Sequence, residues 1–139
     1  MVGLLVLVTA LGAVWRTRTG RAKLIKRGEL VDLERLAATK DGKPVLKFGK
    51  KATLLQFSTE VCSQCKQTAR IYQDFEAKHP DLLHLEVDLT HRLDLAAHFG
   101  VLQTPTTLVL NPNGRVLARV GGAPKAQAIQ SELEKLDIK

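Results

Sequence analysis

The amino-acid sequence predicts an α/β fold: a mixed central sheet flanked by helices and preceded by an N-terminal transmembrane helix. Three observations carry that expectation. Two strand-then-helix units follow one another from Thr53, which implies parallel pairing of their strands. Two further apolar runs then meet across a tight turn, which adds an antiparallel pair and makes the sheet mixed. Met1 to Trp15, finally, holds no charged side chain and stops abruptly at Arg16, a hydrophobicity suited to lipid.

With 139 residues, 45% of them apolar, the chain has material for one core and one domain. The expected segments are a transmembrane anchor over residues 1–15, a basic juxtamembrane linker over 16–27 and a globular domain over 28–139. As a helix the anchor spans about 22 Å against a hydrocarbon core of roughly 30 Å, so crossing requires snorkelling, local thinning or further residues upstream. Nothing basic precedes the apolar run, and Trp15-Arg16 follows it, unlike a cleaved secretory signal. Trp15 suits the membrane–water interface. The basic residues Arg16, Arg18, Arg21, Lys23, Lys26 and Arg27 favour a cytoplasmic downstream side. The expected location is therefore a cell membrane, single-pass, with the domain on the cytoplasmic face; an extracytoplasmic domain is the alternative.

Along the domain, Leu30, Leu33 and Leu36 or Ala37 form a helical stripe over 29–39, ended by the turn residues Lys40 to Pro44, and Val45 to Phe48 reads as a short strand. Thr53 to Phe57 reads as a buried strand. A helix follows from about Cys62 to Lys78, with Ile71 and Phe75 four apart and Pro80 forbidding continuation. Leu83, Leu85 and Val87 alternate as a strand ending at Asp88; Thr90 is placed to cap a short helix that Gly100 closes. Thr106 to Leu110 and Val116 to Val120 flank the turn Asn111-Pro112-Asn113-Gly114, and Gly121-Gly122 breaks the second run. Ile129, Leu133 and Leu136 share one face of a final helix over 125–136.

The net charge of +7 invites a nucleic-acid reading, but its distribution argues against one. The six basic residues just named sit in the first 27 positions, which hold no acid, and beyond them the charges nearly balance. The few aromatic residues are not grouped into a stacking surface. No nucleic-acid partner is expected.

The chemistry-bearing motif is Cys62-Ser63-Gln64-Cys65, the only cysteines in the chain, placed between a buried strand and an amphipathic helix. A thiol at a helix N-terminus faces unpaired N–H groups and the positive end of the macrodipole, which favour the thiolate. Cys62 is thus the expected nucleophile. Cys65, about one turn further in, is placed to resolve a mixed disulfide formed at Cys62. Structural zinc wants four ligands, and neither a second cysteine pair nor a tightly spaced histidine completes a set. No metal is expected; two inert core cysteines are the remaining alternative.

From Thr53 to Leu136 the chain resembles the thioredoxin family. The run Thr53 to Lys66, containing Cys62 and Cys65, resembles the family's second core strand and active-site helix start. Gly100 to Thr106 resembles its cis-proline segment, and Val120-Gly121-Gly122 its glycine turn. The resemblance implies a thioredoxin fold with Pro105 in cis and substrate binding by Thr104, Pro105 and Gly121. It also implies a thiol-disulfide oxidoreductase needing no bound cofactor, with disulfide-containing proteins as substrates and a thiol or disulfide reductase as electron donor. The cysteine spacer lacks a histidine, which suits a mild reductant.

Several positions depart from the family pattern. Gln56 stands where a buried Asp is usual, and an amide cannot take a proton as a carboxylate does. His84, near the usual lysine partner of that Asp, is either a substitute base or a plain strand residue. Val61 replaces the usual Trp, Ser58 another aromatic, Ser63-Gln64 the usual Gly-Pro, and Arg70 the proline that kinks the helix. The alternative from another class is a non-catalytic binding or redox-sensing module for a membrane partner.

Overall fold

The computed structural model describes residues 1–25 and 28–138. In chain order these form α1 (Val2–Arg18), β1 (Ala22–Leu24), α2 (Leu33–Leu36), β2 (Thr39–Lys40), β3 (Lys43–Pro44), β4 (Ala52–Ser58), α3 (Ser63–Lys78), β5 (Leu82–Asp88), α4 (Leu93–His98), β6 (Thr106–Leu110), β7 (Val116–Gly121) and α5 (Ala126–Glu134). Among the described residues one five-stranded sheet has the order β1-β7-β6-β4-β5, and β2 and β3 pair separately. β4 and β5 are parallel, while β4 with β6, β6 with β7 and β7 with β1 are antiparallel. The sheet is mixed, as the order of strands and helices predicts.

β4 is buried along its whole length, and the period-two alternation of a strand divides its side chains between two cores. Leu55 and Phe57 join Leu85, Val87, Leu95, Phe99 and Leu108 on one face. Ala52 and Leu54 join Tyr72, Val109, Val120, Ile129 and Leu133 on the other. Each fully buried Leu or Phe contributes about 1.5–3 kcal/mol of transfer free energy. Gln56, two residues beyond Leu54, falls on the Tyr72 face, and this placement sets the chemistry described below.

Helix α3 runs to Lys78, two residues before Pro80, and passes through Arg70 without a break. Asn111 closes the β6–β7 turn by accepting the N–H groups of Asn113 and Arg115, with Gly114 at φ 80°. These elements follow the sequence reading.

Other elements correct it. Among the described residues no helix is long and apolar enough to cross a membrane, so the expected transmembrane helix is not met. The 17 residues of α1 extend about 26 Å at 1.5 Å per residue. None of them is buried.

The stretch read as a linker carries a strand. After α1 the chain turns at Gly20, φ 75°, and β1 pairs with β7, setting Ala22 opposite Val120 and Leu24 opposite Ala118. Gly20 N–H donates to Gly121 O and Ile25 N–H to Leu117 O, continuing the ladder at both ends. Lys26 and Arg27 of that stretch lie outside the described residues.

The stripe over 29–39 gives only the single turn α2. The carboxylate of Asp32 caps it by accepting Glu34 N–H, and Ala37 closes it in the left-handed region at φ 48°. Leu30 instead forms a bridge to Arg115 and stays exposed, while Val31 and Leu36 are buried. Lys40 to Pro44 forms the β2–β3 hairpin through Asp41 and Gly42, both at positive φ, and residues 45–48 are not a strand. Thr90 does not cap α4, whose N-cap is Arg92. It serves a turn instead: its N–H donates to Asp88 Oδ1 at 2.7 Å, and its hydroxyl accepts Glu60 N–H. Hydrogen bonding to Asp88 by the Thr90 hydroxyl, and then by its N–H, holds the exposed Asp88 carboxyl below its ordinary pKa.

Candidate active site

β4 ends at Ser58, and a short loop places Cys62 as N-cap of α3. Its sulfur accepts the N–H of Cys65 at 3.1 Å, satisfying one of the orphan donors of the first turn. The two cysteines form a disulfide with Cα atoms 5.3 Å apart. They are not equivalent: Cys62 is half-buried, whereas Cys65 is 1% exposed. An incoming group reaches Cys62 first. The groove around it is lined by Glu60, Val61, Ser63, Gln67 and the cations Lys66 and Arg70. Two positive charges and the N-terminus of a 16-residue helix favour a thiolate there once the bond is reduced.

Behind Cys65 lies an uncharged pair. Gln56 is fully buried, and its Nε2 donates to the Cys65 carbonyl at 2.9 Å. Its Oε1 lies 3.0 Å from His84 Nε2. An amide oxygen only accepts, so this contact requires the histidine tautomer with hydrogen on Nε2. Burial, aided by Lys40, lowers the His84 pKa to about 4 despite Glu76. His84 is therefore neutral at pH 7 and donates to Gln56; the structure sets it against the amide and not against the Cys65 sulfur. Glu76 accepts His84 N–H at 3.1 Å and pairs with Lys40, which also donates to His84 O. Tyr72 packs edge-on against His84 and donates to Thr107 Oγ1 at 2.8 Å; burial raises its pKa.

In front of the pair, Thr104-Pro105 is a cis peptide. Gly122 N–H donates to Pro105 O at 2.8 Å, bringing the glycine turn against the proline. Thr59 and Thr104 hydroxyls lie 3.3 Å apart, tying the loop ahead of Cys62 to the loop ahead of Pro105. A Cβ on Gly121 would come within 2.8 Å of Gln103 Nε2. Cys62, Cys65, Thr104, Pro105 and Gly121 thus gather at one end of the sheet, with Gln56 and His84 behind them.

Thr59, Thr90 and Gln103 also shape this rim and were not legible as site residues. Each acts through a partner dozens of residues away or across the sheet, and no local motif marks it.

Fold and site together define a protein built around a dithiol–disulfide pair at a helix N-terminus. Residues 36–135 match the family model described as Thioredoxin. Thioredoxin H9 of Arabidopsis thaliana is 30% identical over 108 residues, 78% of this chain and 71% of that protein. A thioredoxin relative from Streptomyces coelicolor is 31% identical over 87 residues, 61% of this chain and 65% of its own length. Thioredoxin H5 of Oryza sativa is 28% identical, and 63% of its length is covered. The chain thus spans somewhat under two thirds of these last two relatives. Among solved structures, the thioredoxin NaTrxh of Nicotiana alata superposes with a TM-score of 0.55 at 29% identity, over 62% of this chain and 73% of that one. The chain belongs to the thioredoxin family, and Cys62 and Cys65 are its cysteine pair.

Proposed function

We propose that the chain reduces disulfides in protein substrates. The observation that carries this is the asymmetry of the pair: a half-buried Cys62 at the head of α3 beside Thr104-Pro105, with Cys65 buried one turn behind. The Cys62 thiolate attacks one substrate sulfur, forming a mixed disulfide and expelling the other sulfur as a thiolate. The Cys65 thiolate then attacks Cys62 Sγ and releases the first substrate sulfur. The substrate gains two electrons, and the enzyme is left with the Cys62–Cys65 bond. A small thiol or a disulfide reductase returns it to the dithiol, and no bound cofactor takes part. Thr104, Pro105 and Gly121 hold an extended substrate segment through its backbone. The uncharged spacer Ser63-Gln64 fits a mild reductant.

The same reading places the chain at a membrane, with its dithiol on the cytoplasmic face. Support comes from α1, apolar and exposed all round, and from Trp15, Arg16 and Arg18 at its end. A helix with no polar face is otherwise buried in protein. In the cytosol the glutathione poise keeps such a pair reduced. Labelling of Cys62 in intact cells by an impermeant thiol reagent would overturn the cytoplasmic placement.

Insulin-disulfide reduction with a dithiol donor tests the chemistry. Cys62→Ser is expected to lose at least about a thousandfold in rate, since it removes the attacking thiolate. Cys65→Ser is expected to accumulate mixed disulfides with substrate, detected by non-reducing mass spectrometry. A wild-type rate no faster than Cys62→Ser would refute the proposal.

A further inference from the structure

The residues that follow the apolar helix are held against the substrate rim. Gly20, two residues past the end of α1, donates to Gly121 O and accepts from Lys125 N–H. It packs so closely on Ala123 O that a Cβ there would lie 2.3 Å away. Thr19 packs against Gly122, whose N–H holds Pro105 O. From Gly121 the contacts continue through Gln103 to the loop carrying Thr104, and through Thr104 and Thr59 to the loop that presents Cys62. Thr19 alone stands between the end of α1 and the hydrogen-bonded Gly20.

At this junction lies a hollow lined by Trp15, Arg18, Arg21, Lys23, Gln103 and Gly121, with the Arg119 side chain completing it. No acidic residue among those described lines it. Three exposed cations, Arg18, Arg21 and Lys23, and an exposed indole at the foot of an apolar helix match the chemistry of an anionic phospholipid surface: hydrocarbon for α1, headgroup phosphates for the guanidinium and ammonium groups. The Arg119 guanidinium is turned to the Phe99 carbonyl. Two of the hollow's walls, Gln103 and Gly121, are also parts of the substrate rim.

We propose that α1 and this cationic hollow seat the chain on an anionic lipid surface in one fixed orientation, with the Cys62 rim at headgroup level. The substrates are then disulfides in polypeptide segments close to the membrane surface. The exposed apolar side chains of Val61 and Leu102, on the two loops flanking the cysteines, suit such a setting. This inference rests on the membrane reading above and adds the orientation and the substrate class.

The test uses the full chain, vesicles of phosphatidylcholine with phosphatidylglycerol, and a disulfide-quenched fluorescent peptide, either free or coupled to a lipid through a short or a long spacer. Vesicle-bound chain is expected to reduce the short-spacer peptide about tenfold faster than the long-spacer one, because a rigid mount concentrates the site at one height. A flexible Gly-Ser segment inserted between Thr19 and Gly20 is expected to leave flotation and the free-peptide rate unchanged and to bring that ratio near one. A ratio near one in the native chain, or a ratio unmoved by the insertion, overturns the fixed orientation. Failure to float with the vesicles overturns the membrane seat and the orientation with it. Orientation is also read without turnover, from a fluorophore on Cys62 of the Cys65→Ser chain facing a headgroup-attached quencher. Strong quenching that the insertion relieves supports the proposal even if the exchange reading fails; absence of quenching on bound chain refutes it.

Discussion

Behind Cys65 the wall is buried and neutral: Gln56 and His84 are hydrogen-bonded to each other, Gln56 also donates to the Cys65 carbonyl, and neither carries charge at pH 7. In front of Cys62 the rim is exposed and mostly cationic, with Lys66 and Arg70 beside Glu60 on one side and the hollow of Arg18, Arg21 and Lys23 on the other. The two regions share one disulfide and divide the work. Charge that favours a thiolate stands where solvent reaches it. The interior supplies position, and it is costly to disturb.

The largest expected break of that division is Gln56→Leu. It leaves the buried His84 Nε2–H without a partner, at about 1–3 kcal/mol, and removes the side-chain donor to the Cys65 carbonyl, which keeps its place in the α3 ladder. The midpoint of urea denaturation should fall accordingly, with the slope unchanged.

The neutral wall should also show in the pH dependence of stability. The folded His84 pKa, about 4, lies below its unfolded value of 6.5. Between those values the unfolded chain binds the additional proton, so stability is lost as pH falls from 6.5 toward 4. This group alone should account for about 3 kcal/mol at pH 4. Urea titrations at pH 7 and pH 4.5 should differ less in His84→Gln than in the native chain; equal differences would show that the ring does not titrate as its burial requires.

At the rim the expected effect on stability is smallest. In Gly121→Ala the new methyl meets only the mobile end of Gln103, so stability should change by less than about 1 kcal/mol. Insulin reduction should nevertheless drop several-fold, because the methyl stands where the substrate backbone is proposed to lie. A loss of stability as large as that of Gln56→Leu would erase the contrast between wall and rim.

What the sequence reveals follows the range of the interactions. β4, α3, β5, the β6–β7 hairpin and α5 are written in local periodicity and turn chemistry, and the cysteine motif sits between two of them. β1 is not: three residues, Ala22-Lys23-Leu24, take strand form because the outer edge of β7 offers them unpaired groups, and a cationic run gives no local signal for that. The stripe of Leu30, Leu33 and Leu36 misleads because Leu30 leaves the helix to bridge Arg115, a residue far along the chain. Gln56 reads as a missing carboxylate. Its partner becomes visible only in the register that sets Leu54 beside His84 on the neighbouring strand.

That short first strand has a consequence for chains gathered on one surface. Any anchored population is crowded in two dimensions, where an open, flat sheet margin becomes a template for its neighbours. Here the margin beside β7 is closed by the molecule's own three-residue strand, which exposes Lys23 and follows directly on Arg21. A brief, positively charged margin is a poor template for growth. On the proposed membrane seat, the segment that links the helix to the sheet would therefore also disfavour pairing between copies at this margin, leaving β5 as the longer open edge.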